Sequence, residues 1–307
     1  MHRDPRLSAL RGLAALWVFL YHAHQIYHWE YPLIDSGYLG VPLFLMLSVS
    51  LLQRSLDSGT PLRKYFVRRV KRTWPLYFLA VTLVYFLLRP NPSIPLLIEH
   101  YAFISAWLNP FSYGYVFWTL QVEEAAYLAF PLIHRLGAGG KHVLAVALIV
   151  GGCLIDVRLY DTHYWFVAPS LEAYGFGLLV YLGHFKGMRL LAASTLIVAA
   201  LYPDTYVGWA LSPLVMLPMA AVVADPPARL GSLLPAAIGE VSYSIYLYHL
   251  LLLRLTGIDA FLLIWPVSLA LEGRRIRSLP QLQSRRVRLK QAADPPLDPR
   301  REHVEGE

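Results

Sequence analysis

An arginine and a histidine stand eleven residues apart in LSALRGLAALWVFLYHAHQIYH, residues 7–28. At 100° per residue that separation is about three turns, so Arg11 and His22 share a helix face, about 16 Å apart along its axis. The stretch is otherwise apolar and long enough to span a bilayer. An arginine near one end of a spanning helix reaches the headgroup zone, but a histidine three turns deeper has to face protein or water. A titratable group held at that depth near a cation marks a functional site by default. The plainer reading is a snorkelling arginine and a histidine bonded to a neighbouring helix. His24 lies about 200° round from His22, so the two cannot ligate one ion on one face, and no metal is expected.

Three further segments carry polar groups into apolar surroundings. In YFVRRVKRTWPLY, Arg69 and Arg72 are three apart and share a face just before Pro75. Guanidinium pairs bidentately with phosphate, so this pair could clasp an anionic cofactor. A juxtamembrane basic cluster also reads anionic lipid and sets topology. In FWTLQVEEAAYLAFP, Glu123 shares a face with Tyr127, and a carboxylate inside a spanning window needs a cation or histidine as partner. Glu123 and Glu124 could instead lie in water at the outer interface. In EVSYSIYLYHL, Ser242, Tyr246 and His249 form one polar stripe at i, i+4 and i+7. Such hydroxyls commonly join membrane helices, and that reading is preferred for the stripe. Basic, acidic and imidazole groups gathered from four segments suggest a polar cavity opening toward the cytosol.

The elements that must position these groups are helical. Of 307 residues, 56% are hydrophobic and only 15% charged, against about 25% for a soluble domain. With mean hydropathy +0.45, the chain reads as an all-α integral membrane protein. Apolar windows fall at 7–28, 38–53, 74–90, 117–136, 141–157, 164–184, 188–202, 206–224, 233–253 and 258–271, about ten transmembrane helices. Residues 96–108, bracketed by Pro95 and Pro110, suit a re-entrant or interfacial helix. The single cysteine, Cys153, excludes a disulfide framework. No cleavable signal peptide is expected.

Basic residues gather on one side of these windows: Arg54 to Arg72, Arg135 and Lys141, Lys186 and Arg189. The opposite connections lean acidic at Glu30, Asp35, Asp156, Asp161, Asp204 and Asp259, with Arg254 an exception. Both termini are therefore expected in the cytoplasm. Residues 1–273 would form the membrane domain. Residues 274–307, basic and then Pro-rich, would be a disordered cytoplasmic tail.

Five segments in order also resemble one known family. LSALRGLAALWVFLYHA, GYLGVPLFLMLS, RRVKRTWPLY, WTLQVEEAAYLAFPL and VSYSIYLYH are similar to motifs of the acyltransferase 3 family of integral membrane O-acyltransferases. The chain departs from the family pattern at Pro42, at Ser48-Val49 and at Glu272-Gly273-Arg274. The resemblance implies transfer of an acyl group, often acetyl, from a coenzyme A thioester to a hydroxyl, commonly on a sugar or glycan. The residues fit that reaction: His22 could act as general base or first take the acyl group itself, and Glu123 could orient its ring or hold the charge it gains. Arg11, Arg69 and Arg72 would hold the phosphates of the acyl-CoA donor. Tyr127, Ser242, Tyr246 and His249 are further candidates. Expected partners are acyl-CoA, a hydroxyl-bearing acceptor and the lipid of a cell membrane crossed many times (the inner membrane in a Gram-negative bacterium), with no nucleic acid. The alternative is a carrier that moves a sugar or lipid-linked substrate without forming a bond.

Overall fold

A computed structural model describes residues 4–29, 31–88, 93–108, 116–159, 166–201, 212–233 and 236–272. Segment 274–307, expected as a tail, lies outside the described residues, as do Glu30, Asp161 and Asp204. The described residues are helical and contain no strand. In order they form α1 (Pro5–Tyr27), α2 (Pro32–Asp35), α3 (Gly40–Asp57), α4 (Leu62–Leu88), α5 (Ile94–Tyr101), α6 (Ser105–Leu108) and α7 (Phe117–His134). There follow α8 (Ala138–Leu159), α9 (Val167–Tyr181), α10 (Arg189–Ala193), α11 (Thr195–Leu201), α12 (Ser212–Ala224), α13 (Leu230–Leu233), α14 (Ala236–Thr256) and α15 (Ala260–Glu272).

Each of the ten apolar windows holds a helix, although 188–202 is broken at Ser194 into α10 and α11. Segment 96–108 is two short helices, α5 and α6, divided at Phe103, whose φ is 58°. By length and apolar composition, two stretches of the described residues could cross a membrane: Pro32–Asp57 and Ala138–Ile155. The second is only 17% buried. Its exposed Val143, Val146, Val150 and Leu154 make an apolar face that water would not favour.

α1 starts where its sequence dictates. Asp4 caps it by accepting from Arg6 N at 2.9 Å, and Pro5 opens the first turn. It ends at His28, left-handed at φ 56°, whose N–H closes on His24 O. α1 packs along α14 and against α3, and α9 packs between α3 and α8. The α1–α14 approach is close because both helices offer glycine. A Cβ at Gly239 would sit 1.9 Å from Ser8 O, and one at Gly12 would sit 1.7 Å from Ile238 Cγ2. Backbones that close let side chains about three turns further along, His22 and His249, meet face to face.

The connections between helices gather at the two ends of the bundle. At one, Tyr181 donates to Asp57 Oδ1 at 2.9 Å, and Lys141 donates to His134 O at 3.0 Å. At the other, His24 lies 3.1 Å from Asp35. His134 Nδ1 also lies 3.7 Å from Asp57 Oδ1, so the connections after α3, α7 and α9 meet at one end.

Candidate active site

Five helices enclose a cavity of about 210 Å³. α1 contributes Arg11, α3 contributes Phe44 and Ser48, α4 contributes Arg69, Arg72 and Thr73, α7 contributes Thr119, Glu123 and Tyr127, and α14 contributes Tyr243 and Tyr246. The three arginines singled out by spacing therefore line one space, together with Glu123 and Tyr127.

The aromatic rings shape this space. Arg69 lies over Tyr65 at 5.8 Å and over Tyr127 at 5.6 Å, and Arg11 lies over Phe44 at 5.8 Å. Each is a cation–π contact that fixes a guanidinium plane. The Nε of Arg69 is buried with no hydrogen-bond partner among the described residues. A buried guanidinium donor without an acceptor is costly, and an anionic ligand would satisfy it.

Glu123 is held by two donors. Ser48 Oγ donates to its Oε1 at 2.7 Å, and Tyr127 Oη donates to the same oxygen. Glu124 accepts from Thr73 Oγ1 at 2.7 Å. Both carboxylates therefore sit at the level of Thr73 and Arg69, not at the far end with Asp35. Sequence reasoning missed Ser48 and Thr73. Ser48 falls within a segment already matched to the family, but its bond to Glu123 spans 75 positions.

α14 locks onto α4 around Pro75. Tyr243 Oη donates to Thr73 O at 2.9 Å, and Tyr248 Oη donates to Leu76 O at 2.9 Å. Ser244 donates from N and Oγ to Glu272 Oε1, at 3.2 and 2.8 Å, which ties α15 to α14. Ser242 donates to Gly239 O at 2.8 Å within its own helix and does not line the cavity. On the same helix as Glu123, Gln121 joins α7 to α4 and α6. Its Nε2 donates to Ser105 Oγ at 2.7 Å and to Tyr77 Oη at 3.1 Å, and its Oε1 accepts from Ala106 N at 2.6 Å.

His22 lies apart from this lining. It is 9% exposed, and its Nδ1 is 3.2 Å from Gln25 Oε1. With that amide oxygen accepting, Nδ1 carries the hydrogen and Nε2 is the basic nitrogen. Its ring stacks on His249 with centroids 5.1 Å apart and planes at 25°. His249 in turn meets Tyr246 at 5.9 Å, and Tyr246 meets Phe44 at 6.0 Å. Tyr246 and Phe44 line the cavity, so a single aromatic layer separates the arginine chamber from the histidine pair. Tyr246 is held there by Thr119 Oγ1, which donates to its Oη at 2.7 Å, while Tyr246 donates to Val116 O at 3.1 Å.

At the chamber's edge stands Asp4. The Arg6 guanidinium bonded to it holds its carboxyl below the ordinary range. No group of three or more His, Cys, Asp or Glu side chains among the described residues could hold a metal ion.

The sequence is also similar to known proteins. The family model described as an acyltransferase domain, acyltransferase 3, matches residues 4–272. A protein of Acidianus two-tailed virus, provisionally named acetyltransferase ORF330, is 36% identical over 297 residues, covering 88% of this chain and 89% of its own. The O-acetyltransferase OatA of Staphylococcus aureus strain NCTC 8325 is 28% identical over 152 residues, 42% of this chain but only 24% of its own length. A protein of strain COL, provisionally named O-acetyltransferase SACOL0978, is 28% identical over 156 residues, 43% of this chain and 25% of its own. No solved structure matches. The chain belongs to the acyltransferase 3 family and is an acyltransferase.

Proposed function

We propose that the chain is a multi-pass membrane O-acetyltransferase that moves acetyl from acetyl-CoA to a hydroxyl of a carbohydrate. The observation that carries this is the chamber holding Arg11, Arg69 and Arg72, with the buried Arg69 Nε unpartnered. Phosphate is the anion that guanidinium forks fit best, and a CoA thioester carries phosphates at one end. The names of the relatives, acetyltransferase and O-acetyltransferase, support acetyl as the group moved. The membrane setting rests on the family and on the exposed apolar face of α8.

In this reading the phosphates sit at the arginines and the thioester arm runs past Tyr246 toward His22. Helix geometry puts His22 about 16 Å beyond Arg11 along α1. His22 Nε2 takes the proton from the acceptor hydroxyl as its oxygen attacks the thioester carbonyl. The new C–O bond forms, the C–S bond breaks, and the departing thiolate takes the proton from the imidazolium. Free CoA and an acetyl ester result, and the base is restored.

The test is release of CoA thiol from acetyl-CoA by the purified full chain, with methyl glucoside as hydroxyl acceptor. His22→Ala is expected to lower turnover by about 100-fold or more, the size of a lost general base. Undiminished turnover by a normally folded His22→Ala protein overturns the proposal.

A further inference from the structure

We infer that His249 is the residue that positions His22, the task expected of Glu123. The inference rests on His22 being the base. Glu123 is bonded to Ser48 and Tyr127 in the arginine chamber, whereas His22 does not line that chamber. The ring that lies on His22 is that of His249.

Three observations support the assignment. First, His249 cannot rotate freely. Its Nδ1 is 2.7 Å from Tyr246 O and 3.2 Å from Ile245 O, and carbonyls only accept, so Nδ1 carries the hydrogen and the ring plane is set. Second, the ring is wedged against α1. It stacks on His22 at 5.1 Å and meets Phe19, one turn earlier, edge-on at 6.1 Å. Third, His249 is fully buried, and its Nε2 has no hydrogen-bond partner among the described residues.

The third point argues against His249 as plain glue between helices. A polar residue kept to join helices makes its bond across the gap. His249 bonds only to its own helix and turns the flat of its ring to α1. A buried acceptor left unbonded is unfavourable, and a leucine would fill the same space without that cost. What the histidine ring supplies is a rigid π face. When His22 takes the acceptor's proton it becomes a cation, and a parallel neutral ring stabilises that cation while holding its plane toward the acceptor. In a dry site this contact is favoured in the charged state over the neutral one, which is the condition for it to assist the reaction.

The experiment compares His249→Phe, which keeps the ring face, with His249→Gln, which keeps polarity and loses it. Both are made in the full chain, purified in detergent and assayed by CoA release from acetyl-CoA with methyl glucoside present. His249→Gln is expected to lower kcat about tenfold to thirtyfold, the size of a desolvated cation–π contact. Its KM for acetyl-CoA should stay at the parental value, because the arginine chamber is untouched. His249→Phe should retain at least half of the parental kcat. A role in folding alone would instead move KM and the thermal midpoint together. The inference is overturned if the Gln protein turns over as fast as the parent, or if the Phe protein is as slow as the Gln protein. His22→Ala separates the two layers. If it keeps parental turnover, the reading of His22 as base is what fails. If it is inactive while His249→Gln is fully active, only the present inference fails.

Discussion

The guanidinium of Arg69 lies 5.6 Å over the ring of Tyr127, and Tyr127 in turn donates its hydroxyl to Glu123. One side chain therefore orients a cation through its face and an anion through its edge. The two charges are held apart, so the arginine is not consumed in an ion pair and stays available to a ligand. Tyr127→Phe keeps the face and loses the hydroxyl, while Tyr127→Leu loses both. The Leu protein is expected to raise KM for acetyl-CoA severalfold, and the Phe protein to leave KM near the parental value, as initial-rate kinetics would read.

Arg69 itself separates charge from shape. Arg69→Lys keeps the positive charge but loses the planar fork and the stack between Tyr65 and Tyr127. Hydrogen bonds to charged groups contribute about 1.5–3 kcal/mol, which is roughly tenfold to 150-fold in affinity. Arg69→Ala should weaken acetyl-CoA binding by that range, and Arg69→Lys by most of it. Equilibrium binding of CoA by calorimetry checks this. Binding of CoA by both variants at parental strength would remove the phosphate site from Arg69.

Much of this chamber was legible in the residues themselves. The eleven-residue gap from Arg11 to His22 and the three-residue gap from Arg69 to Arg72 are periods of a single helix, so they survive folding unchanged. The contacts between helices had no such period. Ser48 reaches Glu123 across 75 positions, and His249 meets His22 from another helix, because glycines at 12 and 239 let α1 and α14 close up. Packing decides those pairings, and spacing along one chain does not encode packing. Likewise, segment 96–108 read as too short to span, but its break at Phe103 and the clasp by Gln121 depend on α7 lying alongside.

Asp4 makes a pH-dependent prediction at the start of α1. Its carboxyl is held low by the Arg6 bond, so the unfolded chain binds the proton more readily than the folded one. The stabilisation is present above the ordinary Asp range and is lost as pH falls through the lowered folded value. Asp4→Ala should therefore melt below the parent at pH 7, with the gap unchanged between pH 5 and 8. The gap should narrow once the pH drops below about 4. Thermal midpoints of the two proteins in detergent across that range provide the check.

Tyr246 stands between the arginine chamber and the histidine pair, its ring 6.0 Å from Phe44 and 5.9 Å from His249. A thioester arm reaching His22 from the chamber has to pass this ring, and so does water moving the other way. Tyr246→Phe keeps the ring and removes the bonds to Thr119 and Val116, so the barrier remains but is less firmly held. Tyr246→Ala removes the barrier and opens the chamber toward the histidine pair. Water then competes with the acceptor for the acetyl group. The ratio of free acetate to acetylated methyl glucoside should rise severalfold in the Ala protein and change little in the Phe protein, even if total CoA release stays similar. A ratio unaltered by Tyr246→Ala would mean that the thioester reaches its acceptor by another route, and that this tyrosine only braces α14 against α7.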